Sequence, residues 1–207
     1  MLEKYFDKVY MINLDRRQDR LESSQTEFDN VGETFTRKKA IDGTSLDINI
    51  EYDEKIRFNN SAYALALTTI EILDEAIANN YDSIMIFEDD IEFAPCWDIN
   101  IEEVLLYMPE KYDLVFFGIT HTSAKTYHNK YWDKVRSAFS CHAYGINKHM
   151  FKPYKKLLEK LNAPIDVFTN TIIGSRQNSY SCRSKMVYQK NGISDIGGGY
   201  YNVEFTR

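Results

Sequence analysis

No stretch of the 207-residue chain holds the roughly 18 consecutive apolar residues that a membrane-spanning helix needs. The first twenty residues carry charges throughout, unlike the apolar core of a signal peptide, so the expectation is a soluble, cytoplasmic protein. Cysteine is scarce: Cys96, Cys141 and Cys182 are odd in number and widely spaced, which matches neither a disulfide framework nor a CxxC metal site and fits a reducing compartment. No block of basic residues offsets the formal net charge of -6, so the long-range field repels phosphate backbones and nucleic acid is excluded as a partner. No Gly-rich loop follows the first apolar segment, which counts against P-loop and dinucleotide-binding enzymes. Internal repeats and low-complexity linkers are also missing. With 43% hydrophobic residues over this length, the chain has enough material for one α/β domain and too little for two.

What is present is an alternation of strand and helix patterns. Val9 to Leu14 is a short apolar run feeding a charged amphipathic helix from Arg16 to Asn30. Phe35 to Ile41 reads as a second strand closed by Asp42-Gly43, a dipeptide whose glycine tolerates positive φ; residues 44 to 60 are polar and irregular. Leu65, Ala66, Thr69, Ile70, Leu73 and Ile77 recur at helical spacing, placing one apolar face on a helix that ends near Asn79-Asn80. Ser83 to Phe87 is a near-continuous apolar strand of the kind buried on both sides of a parallel sheet. A helix from about Ile101 to Met108 and a strand from Asp113 to Gly118 extend the series to β-α-β-α-β-α-β. Beyond it lie a Tyr- and His-rich stretch to Trp132, a strand over Ala143 to Asn147, a helix from about Pro153 to Leu161, and a mobile Gly197-Gly198-Gly199 run.

Two segments carry the chemistry. Ligands of open α/β sheets sit beyond the carboxyl ends of the strands, and Glu88-Asp89-Asp90 falls there; hard oxygen ligands suit Mg²⁺ or Mn²⁺ bridging to a diphosphate. An acidic turn capping the next loop would look the same. Asp15-Arg16-Arg17-Gln18-Asp19-Arg20 follows the first strand, where Asp15 can cap the helix and an arginine can grip phosphate, or where the charges simply face solvent. At about 100° per residue, Arg16, Arg17 and Arg20 cannot all face one ligand.

Together these segments resemble glycosyltransferase family 25, which includes lipopolysaccharide-type and collagen-directed galactosyltransferases. Met11 to Arg20 is similar to the family's opening x-I-N-L-x-R-R-x-x-R, Ile41-Asp42-Gly43 to its D-G, and Phe87-Glu88-Asp89-Asp90 to its L-E-D-D. Tyr144-Gly145-Ile146-Asn147, Pro164-Ile165-Asp166, and Gln189 with Ser194-Asp195-Ile196 resemble its later landmarks in order. One element departs: where the family has G-E-I-G-C-x-x-S-H, this chain reads Ser61 to Thr69, and Thr69 cannot replace an imidazole.

The resemblance implies a single GT-A-like α/β domain with a mostly parallel central sheet flanked by helices, a nucleotide-binding half over about 1–120 and an acceptor-side half over about 121–207. It further implies a UDP-sugar donor, with galactose the commonest sugar, a Mn²⁺ or Mg²⁺ ion, and inverting transfer to a hydroxyl of a glycan, lipopolysaccharide or protein acceptor. Asp90 is assigned to the metal with Glu88 or Asp89 supporting it; Asn13, Leu14, Asp15, Arg16, Arg17 and Asp42 line the nucleotide site. Asp166 is taken as the base, with Asp195 a second candidate for base or metal. Of the four histidines only His142 is expected near the site, and Tyr127, Tyr131 and Trp132 either stack on an acceptor sugar or pack in the core. A lipopolysaccharide acceptor would bring the protein to the periphery of a membrane, and nothing in the sequence fixes the oligomeric state. The competing readings are a catalytically inactive sugar-nucleotide-binding member and a nucleotidyltransferase-like enzyme.

Overall fold

The computed structural model describes residues 1–48, 50, 58–123, 125–197 and 199–201. Its elements run β1 (Lys8–Asn13), α1 (Gln18–Asn30), β2 (Thr36–Lys39), α2 (Asn60–Ala78), β3 (Ser83–Glu88), β4 (Ile91–Phe93), α3 (Trp97–Leu106), β5 (Leu114–Ser123), β6 (Thr126–Tyr127), β7 (Trp132–Lys134) and β8 (Ser137–Asn147). They continue with α4 (Lys148–Leu158), α5 (Ile165–Arg176), β9 (Ser179–Cys182), β10 (Val187–Gln189), β11 (Gly192–Ile193) and β12 (Tyr200–Tyr201).

Eight strands form one mixed sheet in the order β2-β1-β3-β8-β5-β9-β7-β6. β1 pairs in parallel with β2 and β3, and β5 with β9, while β8 runs antiparallel between β3 and β5. The strands are apolar without alternation because both faces are covered. Tyr10, Ile12, Ile84, Ile86, Leu114 and Phe116 point into one core with residues of α2, α4 and α5. Their neighbours Val9, Met11, Met85, Phe87, Val115 and Phe117 point into the other with Phe28 of α1 and Trp97, Ile101 and Val104 of α3. The result is a three-layer α/β/α arrangement. Among the described residues no helix is long and apolar enough to cross a membrane.

The strand-helix alternation expected through Gly118 is present, but β5 is not the neighbour of β3, because β8 is inserted between them. β8 is also longer than the expected Ala143 to Asn147: its amino-terminal part continues the ladder with β5 from Ser137 to Cys141. α4 starts at Lys148, five residues before Pro153, instead of at the proline. Proline removes one helical hydrogen bond, and the buried stripe of Met150, Phe151, Tyr154 and Leu158 offsets that loss by packing. Trp132 is completely buried and donates its indole N–H to the Val104 carbonyl at 2.8 Å, so of its two expected roles it takes the core one. The described part of segment 44 to 60 is largely irregular, as expected, apart from a short 3-10 turn (Gly43–Ser45) and the first residue of α2; residues 49 and 51–57 lie outside the described residues, as does Gly198 of the glycine run.

The β3–β8–β5 centre leaves little tolerance. A Cβ at Gly145 would stand 2.6 Å from Phe6 Cε1 and 2.7 Å from Val115 Cγ2. Gly145→Ala is expected to lower stability by roughly 1–3 kcal/mol, as overpacking does, seen as a reduced urea midpoint with an unchanged slope.

Candidate active site

A cavity of about 640 Å³ opens at the carboxyl ends of β1 and β3. Its floor is the acidic triplet. One wall is Leu14, Arg16 and Arg20, another is Asp42, Gly43 and the first turns of α2, a third is Ser140 with Asp166, and the segment from Gln189 to Gly197 closes the last side.

The triplet sits where β3 ends and the chain turns into β4, so three successive carboxylates leave one rim. Each is handled differently. Asp89, 8% exposed, accepts from Asn13 Nδ2 at 2.7 Å and Arg20 Nη1 at 2.9 Å. Asp90 Oδ2 accepts from Gln189 Nε2 at 3.1 Å and more weakly from Arg20 at 3.4 Å, while its Oδ1 is buried with no hydrogen-bond partner among the described residues. Glu88 is half-buried at the cavity floor; burial, then the charges of Asp90, Asp166 and Asp89, push its carboxyl well above the usual range. Burial also raises Asp89 and Asp90, opposed in both by Arg20.

Asn13 is a hub rather than a wall. Only 1% exposed, it donates from Nδ2 to the Arg17 carbonyl at 3.0 Å as well as to Asp89, and accepts from Arg37 Nε at 2.9 Å. Asp15 faces outward, paired with Arg37 at 2.7 Å and Lys39 at 2.6 Å, which lower its pKa. Arg17 is turned toward Asp19 and Asp195. The cavity therefore gathers Leu14, Arg16, Asp42, Glu88, Asp89, Asp90, Asp166 and Asp195 of the expected residues, and leaves Asn13, Asp15 and Arg17 behind its walls. Arg20 lines it too.

Asp195 lies in the clasp of two guanidinium groups: Arg16 Nη1 approaches one oxygen at 2.6 Å and Arg17 Nη1 the other. Arg16 simultaneously donates Nε to Asp42 at 2.9 Å. Asp42 in turn caps the 3-10 turn, accepting from the Thr44 amide at 3.0 Å. The glycine after it is required by proximity and not by backbone angle: a Cβ on Gly43 would lie 2.6 Å from the Asn60 and Ser61 backbone. The closing segment is pinned by Arg20 Nη2 to the Ile193 carbonyl at 2.7 Å and by Asn59 Nδ2 to the Ile196 carbonyl at 2.6 Å. Asn59 Oδ1 also caps α2 through the Ala62 amide at 2.9 Å.

On the opposite wall Asp166, in the first turn of α5, accepts from the Ser140 amide at 2.9 Å. Ser140 has φ 51°, a left-handed conformation that costs a non-glycine residue about 1–2 kcal/mol and aims its amide at the carboxylate. Burial raises the Asp166 pKa, opposed by the amides of Ser140 and Cys141. His142 is buried behind this wall. The side chain of His121 is outside what the structure describes; His149 sits at the other end of β8, bonded to Asp113 at 2.6 Å. Tyr127 is 66% exposed and pairs with Arg183, and Tyr131 packs on Tyr107; neither lines the cavity.

On α2, where a Ser-His pair is expected, the Thr68 hydroxyl accepts from the Ile41 amide at 2.9 Å and donates to the Ala64 carbonyl, while Thr69 is bonded to the Leu65 carbonyl. These hydroxyls serve the backbone. Arg37, Asn59 and Ser140 lie outside every landmark read from the sequence, and a left-handed serine leaves no signature there.

Among the described residues no three His, Cys, Asp or Glu side chains converge to chelate a cation on their own. A diphosphate-bound Mg²⁺ or Mn²⁺ needs only one or two protein carboxylates, the rest of its shell being phosphate and water. The unpartnered Asp90 Oδ1 beside Glu88 fits that donor set.

The sequence profile of "Glycosyltransferase family 25 (LPS biosynthesis protein)" matches residues 6–169. A "Glycosyltransferase 25 family member" of Drosophila melanogaster is 28% identical over 127 residues, covering 54% of this chain and 21% of that protein. A namesake from Aedes aegypti is 27% identical over 125 residues, covering 53% and 21%. The match thus spans about a fifth of the length of these relatives. A glycosyltransferase involved in the glycosylation of the major capsid of PBCV-1 shares the fold, with TM-score 0.51, 8% identity, and coverage of 91% of this chain and 95% of that one.

Glu88 held among like charges makes a test of the electrostatics. A carboxyl whose pKa is raised by folding binds its proton more tightly in the folded state, so it lowers stability progressively as pH rises from its unfolded value, about 4.3, toward the folded one. Without divalent metal, Glu88→Gln is expected to melt higher than wild type at pH 8, and the gap to close as pH falls toward 4; scanning calorimetry across that range measures it.

Proposed function

The chain belongs to glycosyltransferase family 25, and from that premise we propose that it transfers a hexose, galactose first among the candidates, from a UDP-sugar to an acceptor hydroxyl with inversion. The observation that carries the reading is the cavity itself: an acidic floor with a carboxylate oxygen left unsatisfied among the described residues, flanked by guanidinium groups, at the strand ends where α/β sheets bind ligands.

Asp90 and Glu88 would hold Mn²⁺ or Mg²⁺. When bound, the ion neutralises the departing nucleoside diphosphate. Arg16 and Arg20, already turned into the cavity, supply further positive charge for phosphate; Asp195 occupies Arg16 and Arg17 as an anion would, so a donor phosphate competes with it for the same guanidinium groups. Leu14 and the apolar start of α2 offer a surface for the base or sugar. Asp166, on the wall facing the triplet, would take the acceptor proton as base; its pKa, raised by burial, supports that reading by lying closer to the operating pH of a general base. The acceptor is a glycan, lipopolysaccharide or protein hydroxyl.

One observation favours a second reading, a nucleotide-sugar binder without turnover: the α2 position where the family has histidine carries Thr69, whose hydroxyl is committed to the Leu65 carbonyl.

Incubating the chain with Mn²⁺ and a panel of UDP-sugars, and following UDP release, separates the two. The enzyme reading expects metal-dependent release from one donor that falls about 100-fold or more in Asp90→Ala, the scale of losing one electrostatic stabiliser of a leaving group. UDP binding with no release from any donor would establish the binder.

A further inference from the structure

His142 is 2% exposed, lines no part of the cavity, and stands between its two working walls. Nδ1 lies 2.9 Å from the Ser140 carbonyl and Nε2 lies 3.1 Å from the Val187 carbonyl. Ser140 is the residue whose amide holds Asp166 at 2.9 Å. Val187 opens β10, and two residues later Gln189 donates to Asp90 at 3.1 Å, while the next amide, Lys190, bonds the Asp90 carbonyl at 2.6 Å. The imidazole therefore spans from the strand whose Ser140 amide holds Asp166 to the strand whose Gln189 holds Asp90, the two proposed reacting carboxylates.

The surrounding chain is shaped to seat this ring. Gly118 of β5 faces it, and a Cβ there would collide with the imidazole and with the Val187 carbonyl. The β5–β8 ladder shifts register on both sides of Gly118, so the regular strand pairing is interrupted where the ring sits. Both carbonyl oxygens can only accept and a neutral imidazole carries one N–H, so the ring donates to one carbonyl while its other nitrogen lies within reach of the second, a two-ended contact that an aliphatic or phenyl ring cannot make. Burial draws the ring's pKa below its ordinary value, against the two carbonyl contacts that favour its protonated form.

We propose that His142 is a positioning residue that fixes the separation of Asp166 from Asp90 by bracing the Ser140 and Val187 carbonyls. This rests on the reading of those two carboxylates given above. Fixed spacing matters because the acceptor proton and the leaving diphosphate must be served at the same instant on opposite sides of the anomeric carbon, and small misplacements lower turnover more than binding.

The test compares His142→Leu, which keeps the volume and loses both nitrogens, His142→Gln, which restores one donor, and Gly118→Ala, which pushes the ring from outside the cavity. Each is measured for UDP release with the active donor and Mn²⁺, with kcat normalised to molecules that bind Mn²⁺-UDP in calorimetry, alongside melting temperature. The expectation for His142→Leu and Gly118→Ala is a fall in kcat of about 10–100-fold with donor KM changed less than about threefold, and partial recovery in His142→Gln. A normalised kcat within about threefold of wild type in His142→Leu and Gly118→Ala, while Asp166→Asn abolishes release, would overturn the proposal and leave His142 a packing residue. Wild-type release by Asp166→Asn would instead overturn the base assignment, and the proposal with it.

Discussion

Arg20 reaches Asp89 at 2.9 Å and Asp90 at 3.4 Å through a single nitrogen, and through that contact the end of β3 can carry three consecutive acidic side chains. Unit charges 4 Å apart repel by several kcal/mol in surroundings less polar than water, so such a rim folds only where cations and hydrogen-bond donors stand against it. α1 supplies them: it begins directly after β1, and its first turn delivers Arg20 to the triplet while Arg16 and Arg17, just before it, reach Asp195. Asn13 at the end of β1 ties the same turn down through the Arg17 carbonyl. The compensation is incomplete: among the described residues Asp90 Oδ1 has no hydrogen-bond partner, and Glu88 stays among like charges. A site left deficient in positive charge in this way is one that gains stability when a cation arrives.

The rest of the architecture serves to hold that rim in register. β1 and β3 pair in parallel from Lys8–Ile84 to Ile12–Glu88, so the end of one strand lies beside the start of the acidic turn on the other. The antiparallel β8 brings Ser140 to the facing wall, where its amide holds Asp166 of α5, and the β4–β10 ribbon returns a distant part of the chain to Asp90. Four sequence-remote segments thus share one cavity, with little of their mutual placement determined locally.

That division explains what could be read in advance. Residues in β1, β3 and β5 are apolar on both faces, and the helices between them are amphipathic or capped, so those elements and the position of Glu88-Asp89-Asp90 were legible from pattern alone. The insertion of β8 between β3 and β5 was not, because an antiparallel strand with both faces buried reads like any other apolar run until its partners are known. Asp42 and Arg16 are joined by a long-range ion pair, and each looks like an ordinary surface charge in isolation. Asn13 reads as a strand-end residue facing a ligand, yet its three hydrogen bonds turn it inward. Ser140 in its left-handed conformation answers to a long-range hydrogen bond with Asp166 and Gly118 to crowding by His142, for which single-residue propensities carry no signal.

The central claim is that the acidic floor is completed by a cation together with a nucleoside diphosphate. Calorimetric titration of UDP into the wild-type chain, with and without saturating Mn²⁺, tests it most directly. The account predicts binding that is strengthened at least about tenfold by the metal, equivalent to some 1.4 kcal/mol. UDP affinity equal in the two titrations would contradict it, placing the diphosphate on the arginines alone and leaving the carboxylates a structural role.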